Sequence, residues 1–186
     1  MGHRTLPKHS QITLLIAALA SATAFAAPGR ADPRLVVILE AQPAVGMPGS
    51  VPDIDGDGLD DDGFCFDGAL VDAKTNKVIG TAQECLSATP TGMTYATTTL
   101  NFPSGSIVAR GKISVLPVQW DPATNPDVDP AVGAVTGYFP APGTNNILSG
   151  TGRFANATGR VRLSGAARDF GDGTANLNCL FIIDLD

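Results

Sequence analysis

Few side chains in this sequence can do acid–base or nucleophilic chemistry, and their positions narrow the choice. Its two histidines are His3 and His9. Both fall in a stretch built like a secretory signal: a basic start at Arg4 and Lys8, a short apolar run over 12–20, and Ala-Phe-Ala at 24–26. Cleavage after 26 would leave no imidazole. Ser-His-Asp and Cys-His catalysis are then excluded, as is any zinc site that needs imidazole. Proton chemistry falls to carboxylates, Tyr95, Tyr138, lysines or a cysteine. Glu40 and Glu84 are the chain's two glutamates, and both sit in strand-like runs. A carboxyl buried among apolar groups has a raised pKa and can act as an acid or a polarising group. A glycosidase using the two as a pair would need a fixed separation, which nothing in the sequence sets.

The cysteines are Cys65, Cys85 and Cys179. A hairpin with a three-residue loop at 74–76 pairs 73 with 77, so paired numbers sum to 150 and Cys65 faces Cys85. Export favours oxidation, and a Cys65–Cys85 disulfide is expected, with Cys179 the odd, buried thiol. A bridge from Cys179 to either partner is the competing arrangement. Asp53, Asp55 and Asp57, followed by Gly58, match the opening of a calcium loop, and Asp61 falls at its ninth position. Phe64 stands where the bidentate glutamate belongs. No cofactor is required by the composition; calcium is the one the pattern suggests, against an acidic solvated linker. Tyr95, Arg110 and Asn178 each sit mid-strand, as candidate groups for orienting a guest. Asn156-Ala-Thr158 reads as a glycosylation sequon.

The elements that must hold these groups are strands. Short β-branched or alternating runs at 35–39, 64–73, 78–87, 94–102, 106–116, 132–138, 160–169 and 174–185 are separated by turn residues. No helical period follows the signal. The organisation expected is a signal peptide over 1–26, a leader over 27–34 and one all-β domain over 35–186. That domain carries an acidic loop at 43–62 and a Pro-rich excursion at 117–143. The excursion is either a surface detour or a lid over a cavity. Loss of Arg4 and Lys8 would take the formal charge from −6 to −8. An acidic exported chain argues against nucleic acid and anionic membrane as partners. The apolar run at 12–20 is too short to span a bilayer, and no cysteine at the cleavage point offers a lipid anchor.

Three stretches then fall in a familiar order: GFCFDGALVDAKTNKVIG at 63–80, TLNF at 99–102 with GSIVARG at 105–111, and SGTGRFANATG at 149–159. Together they resemble the allene oxide cyclase and dirigent superfamily. The last stretch is similar to its motif Gly-Gly-Thr/Ser-Gly-x-Phe-x-x-x-x-Gly, with Ser149 in place of the first glycine. The resemblance spans about 63–183. It implies a single antiparallel eight-stranded β-barrel with an apolar cavity, export, and either a cyclase (isomerase) or a stereo-guiding role on a small apolar molecule. It implies that Glu40 or Glu84 polarises the guest, with Glu40 where the cyclases carry a cavity glutamate. Cys85 stands near their cavity cysteine, one residue closer to the preceding glycine. It also suggests a homo-dimer or homo-trimer. A calcium-stabilised structural surface protein is the reading that needs no cavity.

Overall fold

A computed structural model describes residues 34–88, 94–117, 132–138, 143–169, 172 and 174–186. The expected signal, the leader as far as residue 33 and most of the Pro-rich excursion lie outside the described residues; Arg34, the leader's last residue, begins β1. Ten strands are present: β1 (Arg34–Val45), β2 (Met47–Val51), β3 (Asp61–Asp72), β4 (Lys77–Ala88), β5 (Thr94–Phe102), β6 (Gly105–Pro117), β7 (Val132–Gly137), β8 (Ile147–Gly150), β9 (Gly159–Asp169) and β10 (Thr174–Leu185). A 3₁₀ turn at Gly152–Phe154 is the one helical element among the described residues. All pairings are antiparallel. They run β1-β10-β9-β7-β6-β5-β4-β3, and β3 returns to β1 through Val37↔Asp72 to Glu40↔Ala69. Eight strands therefore close into a ring.

Period-two alternation sets the inside. Val37, Leu39, Leu70, Leu100, Ile107, Val161, Leu163, Phe181 and Ile183 form one buried cluster, as their spacing requires. The end of the ring bearing the β3–β4 and β5–β6 turns is here the lower end. Phe154, from the glycine-rich stretch, plugs it, with its ring 5.2 Å from that of Phe102. That stretch folds back onto the β5–β6 turn. Thr151 N–H donates to the Ser106 carbonyl at 2.9 Å, and Ser106 N–H donates to Thr151 Oγ1 at 3.0 Å. The approach is so close that a Cβ on Gly105 would lie 2.0 Å from the Thr151 carbonyl oxygen. Gly105 also has φ +141°, which disfavours any side chain.

Three differences from the sequence reading have physical causes. The acidic loop expected over 43–62 holds a strand: β1 leaves β3 after Glu40, pairs with β10 to Val45, and the chain rejoins β3 as β2. The hairpin loop is not three residues. Asp72 pairs with Lys77 and a register shift follows between Leu70 and Val71. That shift restores the sum of 150, so Cys65 still faces Cys85 and the disulfide forms. Finally, the place between β6 and β9 is shared. β7 fills its upper half; β8 pairs only with β6 in the lower half.

Two asparagine side chains complete that seam. Asn146 Nδ2 donates to the Arg110 and Val161 carbonyls at 3.2 and 3.0 Å, and its Oδ1 accepts Val161 N–H at 2.7 Å. Asn145 Oδ1 accepts from Ile147 and Gly159 N–H at 3.1 and 3.0 Å. A side-chain amide can stand in for a strand because it offers one acceptor and two donors. Asn146→Ala should lower unfolding free energy by about 2–4 kcal/mol, because it orphans three backbone groups. Denaturant midpoints with an unchanged slope measure it; a loss within about 0.5 kcal/mol would show the seam holds without the amide.

Candidate functional site

Two rows of side chains cross the same strands on opposite faces. The ladder links Cys65 to Cys85, Cys85 to Thr97 and Thr97 to Arg110. One residue along, it links Phe66 to Glu84, Glu84 to Thr98 and Thr98 to Ala109. Successive residues of a strand point oppositely. The first row therefore faces out, and the second faces the interior with Leu100, Ala96 and Ala82.

Glu84 is 3% exposed and Thr98 0%. A third polar group reaches them from the end of β7. Tyr138 is 1% exposed, and its hydroxyl lies 2.7 Å from Thr98 Oγ1 and donates to the Ala96 carbonyl at 2.6 Å. Thr98 Oγ1 is 3.4 Å from Glu84 Oε2, a long contact. Tyr138 holds a left-handed φ of +55°, and its ring occupies the space above Gly111. A Cβ on Gly111 would stand 1.9 Å from that ring. Phe181 packs on its other side, centroids 6.1 Å apart. The free thiol of Cys179 faces the same interior.

Burial pushes the Glu84 carboxyl up to about 7. Burial, and then the Glu84 charge, raise both the Tyr138 phenol and the Cys179 thiol. Above Glu84 on the same face of β4 comes Leu86. Leu86 lines an open cavity of about 610 Å3 with Thr94, Lys112, Ile113, Val115 and Leu116. The cavity sits where β5 and β6 part, since their ladder stops at Tyr95↔Lys112 while β6 continues with β7.

The outer row is covered by the chain after β2. Arg110 reaches under that segment: Nε donates to Thr97 Oγ1 at 3.0 Å, one terminal nitrogen to the Asp53 carbonyl at 2.8 Å, and the other to the Pro52 carbonyl. Val51 and Ile54 pack on the disulfide. Asp53 caps its own loop, accepting Gly56 N–H at 2.6 Å and Gly58 N–H at 2.8 Å. Those bonds hold its carboxyl below the usual carboxylate range. Carboxylate oxygens of Asp53, Asp55 and Asp61 lie within 4.8 Å of one another; Asp57 instead accepts Leu59 N–H.

Of the residues singled out in the sequence, Glu84 points inward. Glu40 is half-buried on the opposite face of β1 from Leu39, opposite Asn178, which is exposed on β10. Cys85 has its sulfur in the disulfide with Cys65. Tyr95 faces out beneath the Lys112 ammonium, 5.9 Å from its ring centre. Arg110 faces out and grips the acidic loop. Thr98 was not singled out at all, and Tyr138 only as one of two tyrosines.

No family model matches this chain, and no curated protein does. Among solved structures, pyocyanin demethylase is similar at 18% identity over 82% of this chain and 99% of that one, with a TM-score of 0.36. A likeness that slight bears on neither fold nor function. No helix among the described residues is long and apolar enough to cross a membrane.

The raised Glu84 pKa makes stability fall with rising pH. The unfolded group ionises near 4.5 and the folded one near 7, so between them the folded state binds more protons. Unfolding free energy should therefore drop by up to about 3 kcal/mol from pH 4.5 to 7 through this group, and Glu84→Gln should flatten that window. Melting curves across the range test it; a wild type and variant with parallel profiles would place the Glu84 charge in contact with water.

Proposed function

We propose that the strand ring is a β-barrel of the allene oxide cyclase/dirigent kind, exported from the cell, that binds a small apolar molecule. The guest enters at the upper end, through the cavity over Leu86 and Ile113. Confinement by the walls folds it, and the Glu84 carboxyl beneath polarises it, as a cyclase or isomerase would require. The observation that carries this is a carboxyl 3% exposed among hydrocarbon side chains, one inward residue below a cavity of about 610 Å3. An ion-pair partner would explain a buried acid structurally. The ion pairs between described residues join Asp184 on the outer face to Arg34, Arg160 and Arg162, away from Glu84. The disulfide fits an oxidising compartment. A protein that only orients a guest made reactive elsewhere would use the same cavity without needing the carboxyl.

Native mass spectrometry of protein from its source should show a mass beyond the chain and its subunit count. With N-phenyl-1-naphthylamine as probe, Leu86→Trp should weaken binding at least about tenfold by filling the entrance. Bare chain mass together with equal probe binding by wild type and Leu86→Trp would contradict the cavity. Loss of turnover of the recovered guest in Glu84→Gln separates the cyclase from the guiding protein.

A second reading concerns the acidic loop, favoured by the Asp53, Asp55 and Asp61 carboxylates lying within 4.8 Å of one another. Oxygen donors in such a cluster suit calcium, and an exported protein meets it at millimolar levels. Calcium at ~50-fold over its dissociation constant should add about 2 kcal/mol, roughly 4–8 °C in melting temperature, and Asp55→Ala should lose most of it. Equal melting with calcium and with chelator would remove this reading.

A further inference from the structure

Three oxygen contacts join Glu84 to a strand carbonyl, and the protons in them can be counted. Glu84 Oε2 lies 3.4 Å from Thr98 Oγ1, Thr98 Oγ1 lies 2.7 Å from Tyr138 Oη, and Tyr138 Oη lies 2.6 Å from the Ala96 carbonyl oxygen. Two oxygens at hydrogen-bonding distance need a proton between them. Thr98 and Tyr138 each have one to give. The Ala96 carbonyl can only accept, so the Tyr138 proton goes there. The 2.7 Å contact then takes the Thr98 proton. That leaves Thr98 no proton for Glu84 at 3.4 Å, so an ionised Glu84 would be a buried carboxylate with no donor in this chain of contacts.

We infer that Glu84 stands as a neutral carboxylic acid at the head of a one-way relay, Glu84 to Thr98 to Tyr138 to the Ala96 carbonyl, and that its proton selects an apolar guest bearing a hydrogen-bond acceptor such as a carbonyl oxygen. The guest class rests on the cavity reading above. The relay does not. The 3.4 Å contact is the longest of the three and well beyond the ordinary O–H···O distance, so its proton is the one most easily redirected. A guest oxygen coming from the Leu86 side can take it while the two short bonds stay intact. A hydrocarbon of the same shape gains nothing from the acid.

The surroundings favour the neutral form. Among the described residues, the titratable groups facing Glu84 are the Cys179 thiol from β10 and the Tyr138 phenol, both held in their neutral forms by burial. The nearest cation by strand register, Arg110, lies on the other face of β6 and spends its donors on Thr97, Pro52 and Asp53.

The chain has only two glutamates, which makes the test clean. Protein labelled with 13C at the glutamate carboxyl gives two signals, and Glu84→Gln assigns them. In the guest-free protein, the Glu84 signal should keep its neutral-acid shift above about pH 6, where an ordinary glutamate has lost its proton. Tyr138→Phe frees the Thr98 proton to serve a carboxylate, so the Glu84 midpoint should fall. Thr98→Val removes the oxygen that takes the acid's proton, so there too it should fall, and Thr98→Ser should leave it in place. A Glu84 midpoint in the ordinary glutamate range, or one unmoved or raised by Tyr138→Phe, overturns the relay. If Tyr138→Phe does not fold, equal midpoints in Thr98→Val and Thr98→Ser do so.

The guest class is tested with acetylcyclohexane and isopropylcyclohexane. The ketone should shift the Glu84 signal and bind more tightly than the hydrocarbon. Equal effects overturn acceptor selectivity. Binding of neither overturns the guest class and the entry route, whatever the guest-free titration gives.

Discussion

A carboxyl group placed among hydrocarbon side chains must give up its charge or find partners for it. Glu84 is in that position, and much of the interior is arranged around it. Thr98 stands directly across the ladder from it. Tyr138 is brought over Thr98 by a left-handed turn that few residues adopt, above a Gly111 that leaves room for the ring. Each hydroxyl passes its proton along, so the chain ends on a backbone oxygen. Such a network is stable only when complete, because a buried group without a partner costs more than a satisfied one contributes.

The opposite face of the same strands does structural work. The row one residue away from Glu84 holds the disulfide, Thr97 and Arg110. The segment after β2 is strapped across it. Arg110 ties carbonyls of that segment to β5 and β6, and the strap in turn shields the disulfide. Residues that look like inward candidates by type thus serve the outside, and the strap leaves the interior free for Glu84 and its neighbours. At the lower end the glycine-rich stretch seals the ring with Phe154. The cavity lies at the other end, where β5 and β6 part.

Much of this was legible from period and spacing. Strand positions, the Cys65–Cys85 pair and the inward face of β6 follow from alternation. The same alternation could have placed Arg110 outside, since Ile107, Ala109 and Ile113 claim the inner face; likewise Leu39 puts Glu40 outside. The pairing of the cysteines emerged from a wrong loop length, rescued by the shift at Leu70. Thr98 was hidden because it lies between two other threonines, so residue type gave no contrast. Tyr138 was beyond reach. It follows Gly137 at the end of a short strand inside a Pro-rich stretch, and only the closed ring shows that it meets β5. The asparagine seam was equally silent, because nothing local marks a side chain that replaces a ladder.

The interior thus holds a carboxyl among hydrocarbon side chains, with an open cavity above it, and we propose that the carboxyl keeps its proton. A neutron structure of crystals grown at about pD 5.5, above the ordinary glutamate range and below the raised Glu84 value, would look at that proton directly. A deuteron on the Glu84 carboxyl directed at Thr98, with those of Thr98 and Tyr138 directed onward to Ala96, is the result this account expects. A bare carboxylate receiving the Thr98 deuteron would contradict it.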